Sequence, residues 1–187
     1  DQIAYRVPEG HKIRVSISNC YWPLLWPTPD KDTLTLVQGK FDLPISSHGD
    51  LDERKFQPAV VGEPWKIKSL REGGNQRNVK RDLKSGIVTT EIIDDFGKRM
   101  DQEHGLITGS TAREWWSIHP DDPLSAHGRT HWTEEIERED WSVRTETYAE
   151  MWSDYETFYI KASLMAFHNG DLVFEKEFNQ EIQRLKH

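Results

Sequence analysis

Apolar and polar residues alternate along much of this chain, and the repeat is two. From Lys12 to Ser18, Ile13, Val15 and Ile17 fall on one side and Lys12, Arg14, Ser16 and Ser18 on the other. Ile3, Tyr5 and Val7 open the chain in the same way, and Leu34 and Leu36 repeat it between threonines. Gly86 to Ile93 is β-branched and bounded by Ser85-Gly86 and Asp94-Asp95. Trp141, Val143, Thr145, Thr147 and Ala149 share one side, against Ser142, Arg144, Glu146 and Glu150 on the other. Side chains point to opposite faces at successive strand positions, so each of these runs predicts a half-covered strand. Seven or more such strands with turn signals between them predict an all-β fold, a β-sandwich or jelly roll with little helix.

The longest run, Phe158, Ile160, Ala162, Leu164 and Ala166, ends in His168-Asn169-Gly170-Asp171. Asn-Gly between two apolar strands predicts a type I′ hairpin, because both central residues of that turn need positive φ. A two-residue turn sets Phe167 opposite Leu172 and Met165 opposite Phe174. Glu177 to His187 fits either a short terminal helix or an irregular tail. Tyr21 to Asp32 and His119 to Trp132 are expected to be long, ordered loops, and the strand layout between Asp50 and Ile87 is left open.

Length changes this picture little. The 187 residues suit a single domain spanning 1–187, large enough to bury a core without staples. The chain starts at Asp1 with no charged-plus-apolar leader, which is read as a fragment boundary or processed start with no signal peptide. No apolar run reaches the roughly 18 residues of a membrane helix, so a soluble protein is expected. The single cysteine, Cys20, excludes an internal disulfide, leans towards a cytoplasmic setting and is expected as a buried apolar thiol at a strand end. The net charge of −8, from 24 basic and 32 acidic side chains, lacks the basic stripe that a phosphate backbone requires. Nucleic acid is therefore not expected as a partner.

Catalytic chemistry is hard to place. A serine hydrolase of the α/β type carries its nucleophile on a G-x-S-x-G elbow between strand and helix. The nearest approach, Gly109-Ser110-Thr111-Ala112, lacks the second glycine and opens no helix. His127 and His131, four apart, lie near His119, Asp121, Asp122 and Glu134, but Gly128 and two prolines argue against the helix that would aim both at one metal. A surface loop bonded to its own backbone accounts for them, and no metal or other cofactor is expected.

The eight tryptophans require an explanation. Tyr21-Trp22-Pro23-Leu24-Leu25-Trp26-Pro27-Thr28-Pro29 is a proline-stiffened apolar loop, no helix and a poor strand. Tyr21, Trp22, Leu25 and Trp26, with Trp115, Trp116 and Trp132, are the candidate interface or binding residues. Three roles compete for them: a plug over the core, a docking surface for another domain, or a platform on which sugar rings stack. Interfaces use such aromatics most heavily, and docking is the preferred reading.

The residues also resemble a known family. Val7-Pro8-Glu9-Gly10-His11-Lys12-Ile13-Arg14-Val15-Ser16-Ile17-Ser18 is similar to the entry segment of the C-terminal, non-catalytic domain of X-Pro dipeptidyl-peptidases and cocaine-esterase-like acyl hydrolases. The Trp22-Pro23 and Trp26-Pro27 loop follows where that family has an aromatic-proline connection. His119-Pro120-Asp121-Asp122-Pro123-Leu124-Ser125 resembles another of its segments, and Trp141 to Phe158 with the Asn169-Gly170 hairpin resemble its closing strands. The resemblance implies a jelly roll of the galactose-binding-domain-like kind, packed against an upstream α/β-hydrolase domain of the same polypeptide. That upstream domain would hold the Ser-Asp-His triad, so no catalytic residue carries over to this chain. Oligomerisation would belong to the parent, a dipeptidyl-peptidase or acyl esterase. The competing reading is a free-standing carbohydrate-binding module.

Overall fold

A computed structural model describes residues 5–31, 33–45 and 55–185. It contains eight strands and, among the described residues, no helix. They are β1 (Ile67–Arg71), β2 (Gly74–Arg81), β3 (Val88–Asp101), β4 (Ile107–His119), β5 (Asp122–Arg138), β6 (Trp141–Ser153), β7 (Thr157–His168) and β8 (Asp171–Gln183). Every pairing is antiparallel. This is the all-β, sandwich-like architecture that the alternation predicts.

From β3 to β8 each strand pairs with the next in sequence. β1 and β2 share the outer edge of β3, β1 against Lys98 to Asp101 and β2 against Val88 to Asp95. The hand-over falls at a bulge between Asp95 and Lys98, where Gly97 takes φ 79° and a Cβ would lie 2.8 Å from the Arg71 carbonyl. Ions lock this corner to β5. Arg71 donates to Asp95 at 3.0 Å and pairs with Glu135 at 3.4 Å, while Lys98 bridges Glu135 and Glu137 at 3.3 and 2.6 Å. Burial works against the charge on Lys98, but its bonds to Glu137 and Glu135 outweigh that and raise its pKa.

Carboxylates close the turns. Asp82 accepts from the Lys84 amide, Asp101 from those of Glu103 and His104, and Asp154 from those of Glu156 and Thr157. Each bond favours the ionised form, and each carboxyl is held below its ordinary pKa: Asp82 chiefly by the Lys84 amide, Asp101 chiefly by the Trp65 indole N–H and Asp154 chiefly by the Tyr159 hydroxyl, with the turn amides adding to both. The Asn169-Gly170 turn has φ 49° and 91°, as a type I′ hairpin requires.

Several expectations are corrected. Phe167 does face Leu172, but a bulge at Val173 sets Ala166 opposite Phe174 and Met165 opposite Glu175. The chain end from Glu177 is neither helix nor tail up to Gln183, because Thr157 to Ser163 of β7 pair with it. His119 to Trp132 is no long loop: Pro120-Asp121 turns the chain tightly and β5 starts at Asp122. Cys20 is exposed, in a bend where the Ser18 hydroxyl bonds the Cys20 amide and carbonyl. The alternating segments 12–18 and 33–37 join no ladder. Ile3 and Asp32 lie outside the described residues.

The expected core is also thin. Among the described residues the buried apolar side chains are few and small: Ala112 and Ala126 in the sheet and Pro27 in the aromatic loop. The reason is architectural: all eight strands lie in one sheet, and the described residues outside it cover only part of one face.

Candidate docking surface

Register and alternation divide the sheet into two faces. One carries Trp116, Gly128, Met151 and Ile160 in one row and Ala112, Trp132, Thr147 and Leu164 in another, and is largely apolar. The other carries Arg129, Glu150 and Lys161, then His131, Tyr148 and Ser163, and is polar.

The aromatic loop lies on the apolar face. Trp22 meets Trp26 edge-on at 5.1 Å and Trp116 at 5.9 Å, while Trp26 meets Phe158 at 6.2 Å. Such edge-to-face contacts are favourable beyond the area they cover. The Trp26 indole N–H donates to the Ser153 hydroxyl at 3.0 Å, and Tyr155 reaches Asp30 at 2.6 Å. Arg184 clamps the assembly from the other side. Its guanidinium lies 4.4 Å from the Phe158 ring centre and donates to Ser153 at 2.8 Å and to the Pro27 carbonyl at 3.3 Å. Burial lowers the Arg184 pKa, and the charges of Asp154 and Asp30 oppose that shift.

The loop is therefore two-sided. Trp22 and Trp26 turn inwards and are half-buried, whereas Tyr21, Leu24 and Leu25 remain 63–70% exposed. Pro27, fully buried, fixes the inward side. Trp132 lies further along the apolar face, stacked on Phe96 at 6.3 Å. Trp115, grouped in the sequence with Trp116, points to the polar face and donates to Glu91 at 3.0 Å. Adjacent strand positions cannot share a face, so that pair was never one platform. Ser110 and Thr111 sit inside β4, with no turn into a helix around them. His127 lies 3.5 Å from Glu150, and His131 stacks on Tyr148 at 4.1 Å. The two imidazoles stand on one face of β5 with Arg129 between them.

The apolar exposure concentrates towards the chain's start. Tyr5, Ile13, Val15, Ile17, Leu34 and Leu36 are all exposed, on segments that join no sheet. That same stretch carries the family pattern. Residues 1–79 match the model of the X-Pro dipeptidyl-peptidase C-terminal non-catalytic domain. The resemblance read from Val7 to Ser18 and from the Trp-Pro loop is thus borne out in the stretch that holds both. The matched domain is described as non-catalytic, in keeping with a chain whose Ser110 lies in mid-strand. From Val88 onwards the sheet lies beyond the match. No curated protein and no solved structure matches the chain significantly. Among the described residues, no helix is long and apolar enough to cross a membrane.

Proposed function

We propose that this chain is the C-terminal accessory domain of a serine hydrolase, which braces an upstream α/β-hydrolase domain and walls part of its substrate cleft. The observation that carries the reading is the surplus of surface. The chain exposes 15850 Å², against about 9,300 Å² for a compact monomer of its 21.9 kDa. Exposed large apolar side chains are most numerous on the stretch that matches the family, from Tyr5 to Val79. An uncovered apolar patch of this extent marks an interface. Tyr21, Leu24 and Leu25 supply the outward side of the stiff loop, and the amphipathic segments 12–18 and 33–37 offer unpaired backbone and apolar side chains beside it. The parent reaction is hydrolysis of an X-Pro peptide or an acyl ester, with all catalytic groups in the upstream domain.

The chain by itself is expected to leave X-Pro anilides and short acyl esters intact, because it holds no activated nucleophile. Produced in one polypeptide with the upstream domain, it is expected to copurify as a single hydrolase. Activity of the isolated chain that vanishes in Ser110→Ala would overturn the reading. So would an upstream sequence without a serine hydrolase elbow.

A further inference from the structure

The polar face of the sheet, opposite the aromatic loop, holds a cavity of about 660 Å³ lined by Trp115, Arg129, His131, Tyr148, Lys161 and Glu177, among others. We propose that this cleft binds a neutral oligosaccharide laid across β5 to β8. This proposal does not rest on the docking reading, since it concerns the other face of the sheet.

Register builds the cleft from two neighbouring rows. Trp115, Arg129, Glu150, Lys161 and Asn179 are successive partners across β4 to β8. Two residues along, His131, Tyr148, Ser163 and Glu177 are partners across β5 to β8. Ser163 is the small member of its row. Its short side chain leaves open the space between the Tyr148 ring and Glu177, and this gap gives the cleft its depth.

One wall is an aromatic platform. His131 and Tyr148 stack at 4.1 Å with planes 8° apart, while Tyr148 stays 41% exposed. With one ring face covered by the imidazole, the phenol offers its other side to the cleft. Burial, helped by the charge of Arg113, lowers the His131 pKa and favours the uncharged ring in this stack. The Tyr148 hydroxyl is held by Glu146 at 3.1 Å, which fixes the ring's tilt. A second stacked pair, Trp152 on Tyr159 at 5.5 Å, continues the aromatic surface one row beyond Lys161.

The remaining walls offer both senses of hydrogen bond. Arg129 lies 5.8 Å from the Trp115 ring centre and Lys161 5.3 Å from that of Trp152, and neither forms an ion pair among the described residues. Their N–H groups are free to donate. Glu150, whose carboxylate reaches only His127 at 3.5 Å, and Glu177 can accept. Ser163 and Asn179 can do both.

These charges decide the ligand class. Arg129 and Lys161 balance Glu150 and Glu177, so an anion meets two carboxylates and a cation meets two basic groups. A purely apolar ligand would desolvate all four without compensation. A pyranose satisfies each requirement: its C–H face covers an aromatic ring, and every hydroxyl both donates and accepts. The volume lies within the usual range for ligand sites, about 300–1,000 Å³, and exceeds one sugar ring.

The 187-residue chain should be titrated by calorimetry with β-1,4-glucan, β-1,4-xylan, β-1,4-mannan and α-1,4-glucan hexasaccharides. At least one is expected to bind with Kd below about 1 mM. Tyr148→Ala is expected to weaken that sugar about tenfold or more, or 1.4 kcal/mol. Ser163→Tyr, which keeps a hydroxyl but fills the gap with a ring, is expected to abolish binding while the melting temperature holds. Trp132→Ala, on the opposite face, is expected to bind as the parent does. The proposal falls if none of the four sugars binds at millimolar concentration. It falls equally if Ser163→Tyr binds normally, if Trp132→Ala loses as much as Tyr148→Ala, or if a sulfated oligosaccharide is preferred to every neutral one.

Discussion

His131 shows how one side chain can be confined by its neighbours. Its Nε2 is buried without a hydrogen bond, 3.8 Å from the Glu146 carboxylate, and its ring lies flat on Tyr148. Burial, then the charge of Arg113, set its pKa below the ordinary value of 6.5. Between that ordinary value and the lower folded one, the unfolded chain binds more protons, so stability falls as pH drops through this window. Above it the residue is neutral in both states and contributes no pH dependence. Urea unfolding at pH 7.5 and 5.5 is expected to show a loss that His131→Phe, which keeps a ring on Tyr148, largely removes. A variant with the same pH dependence as the parent would show that another group titrates. The turn carboxylates Asp82, Asp101 and Asp154 are held below their ordinary pKa of 3.8. Their contribution is present above that value and lost only at lower pH, so the two effects separate.

At the scale of elements, the repeat of two made the strands from Gly86 onwards readable. It also contained what was needed to separate Trp115 from Trp116, and to put Arg129, His131, Tyr148, Lys161 and Ser163 on one face. Bringing residues of different strands side by side needs the register between strands, which a single chain does not announce, so the cleft was not visible in the sequence. The bulges were hidden too. An extra residue at Val173 changes the partner of Met165 without altering any local pattern. Asn169-Gly170 was legible because its chemistry is local, whereas the turn at Pro120-Asp121 was obscured by the polar residues around it. Gly128 was read as a helix breaker, but its role is to make room. A Cβ there would lie 2.6 Å from the Trp116 ring, which is itself packed against Trp22. Gly128→Ala must push that indole away and disturb both β4 and the aromatic loop. A loss of about 1–3 kcal/mol is expected, and thermal melting checks it. An unchanged melting temperature would mean that the loop yields freely.

At the scale of the molecule, the sheet is built from its own ladders, while its apolar face is finished only at one end. The aromatic loop covers that end, reaching across 127 residues of sequence from Trp26 to Ser153. Segments 12–18 and 33–37, which the alternation marked as amphipathic, line a shared pocket but join no ladder among the described residues. Their pattern was legible, whereas their placement off the sheet was not, because alternation does not say which ladder a segment joins. This division makes the last prediction specific. Trp26 loses its contacts to Phe158 and Ser153 when truncated, so Trp26→Ala is expected to destabilise the isolated chain by about 2–3 kcal/mol, below the range for a fully buried tryptophan because the ring is half-covered. Leu25 points outwards, and Leu25→Ala is expected to leave the isolated chain's melting temperature unchanged. In the two-domain hydrolase both substitutions are expected to lower it, Leu25→Ala through the lost contact with the catalytic domain, where a buried leucine contributes about 1.5–3 kcal/mol. Melting the isolated chain and the two-domain hydrolase with each substitution gives four values. If Leu25→Ala is neutral in both contexts, the outward side of the loop touches nothing, and the docking assignment fails while the inward packing of Trp26 stands.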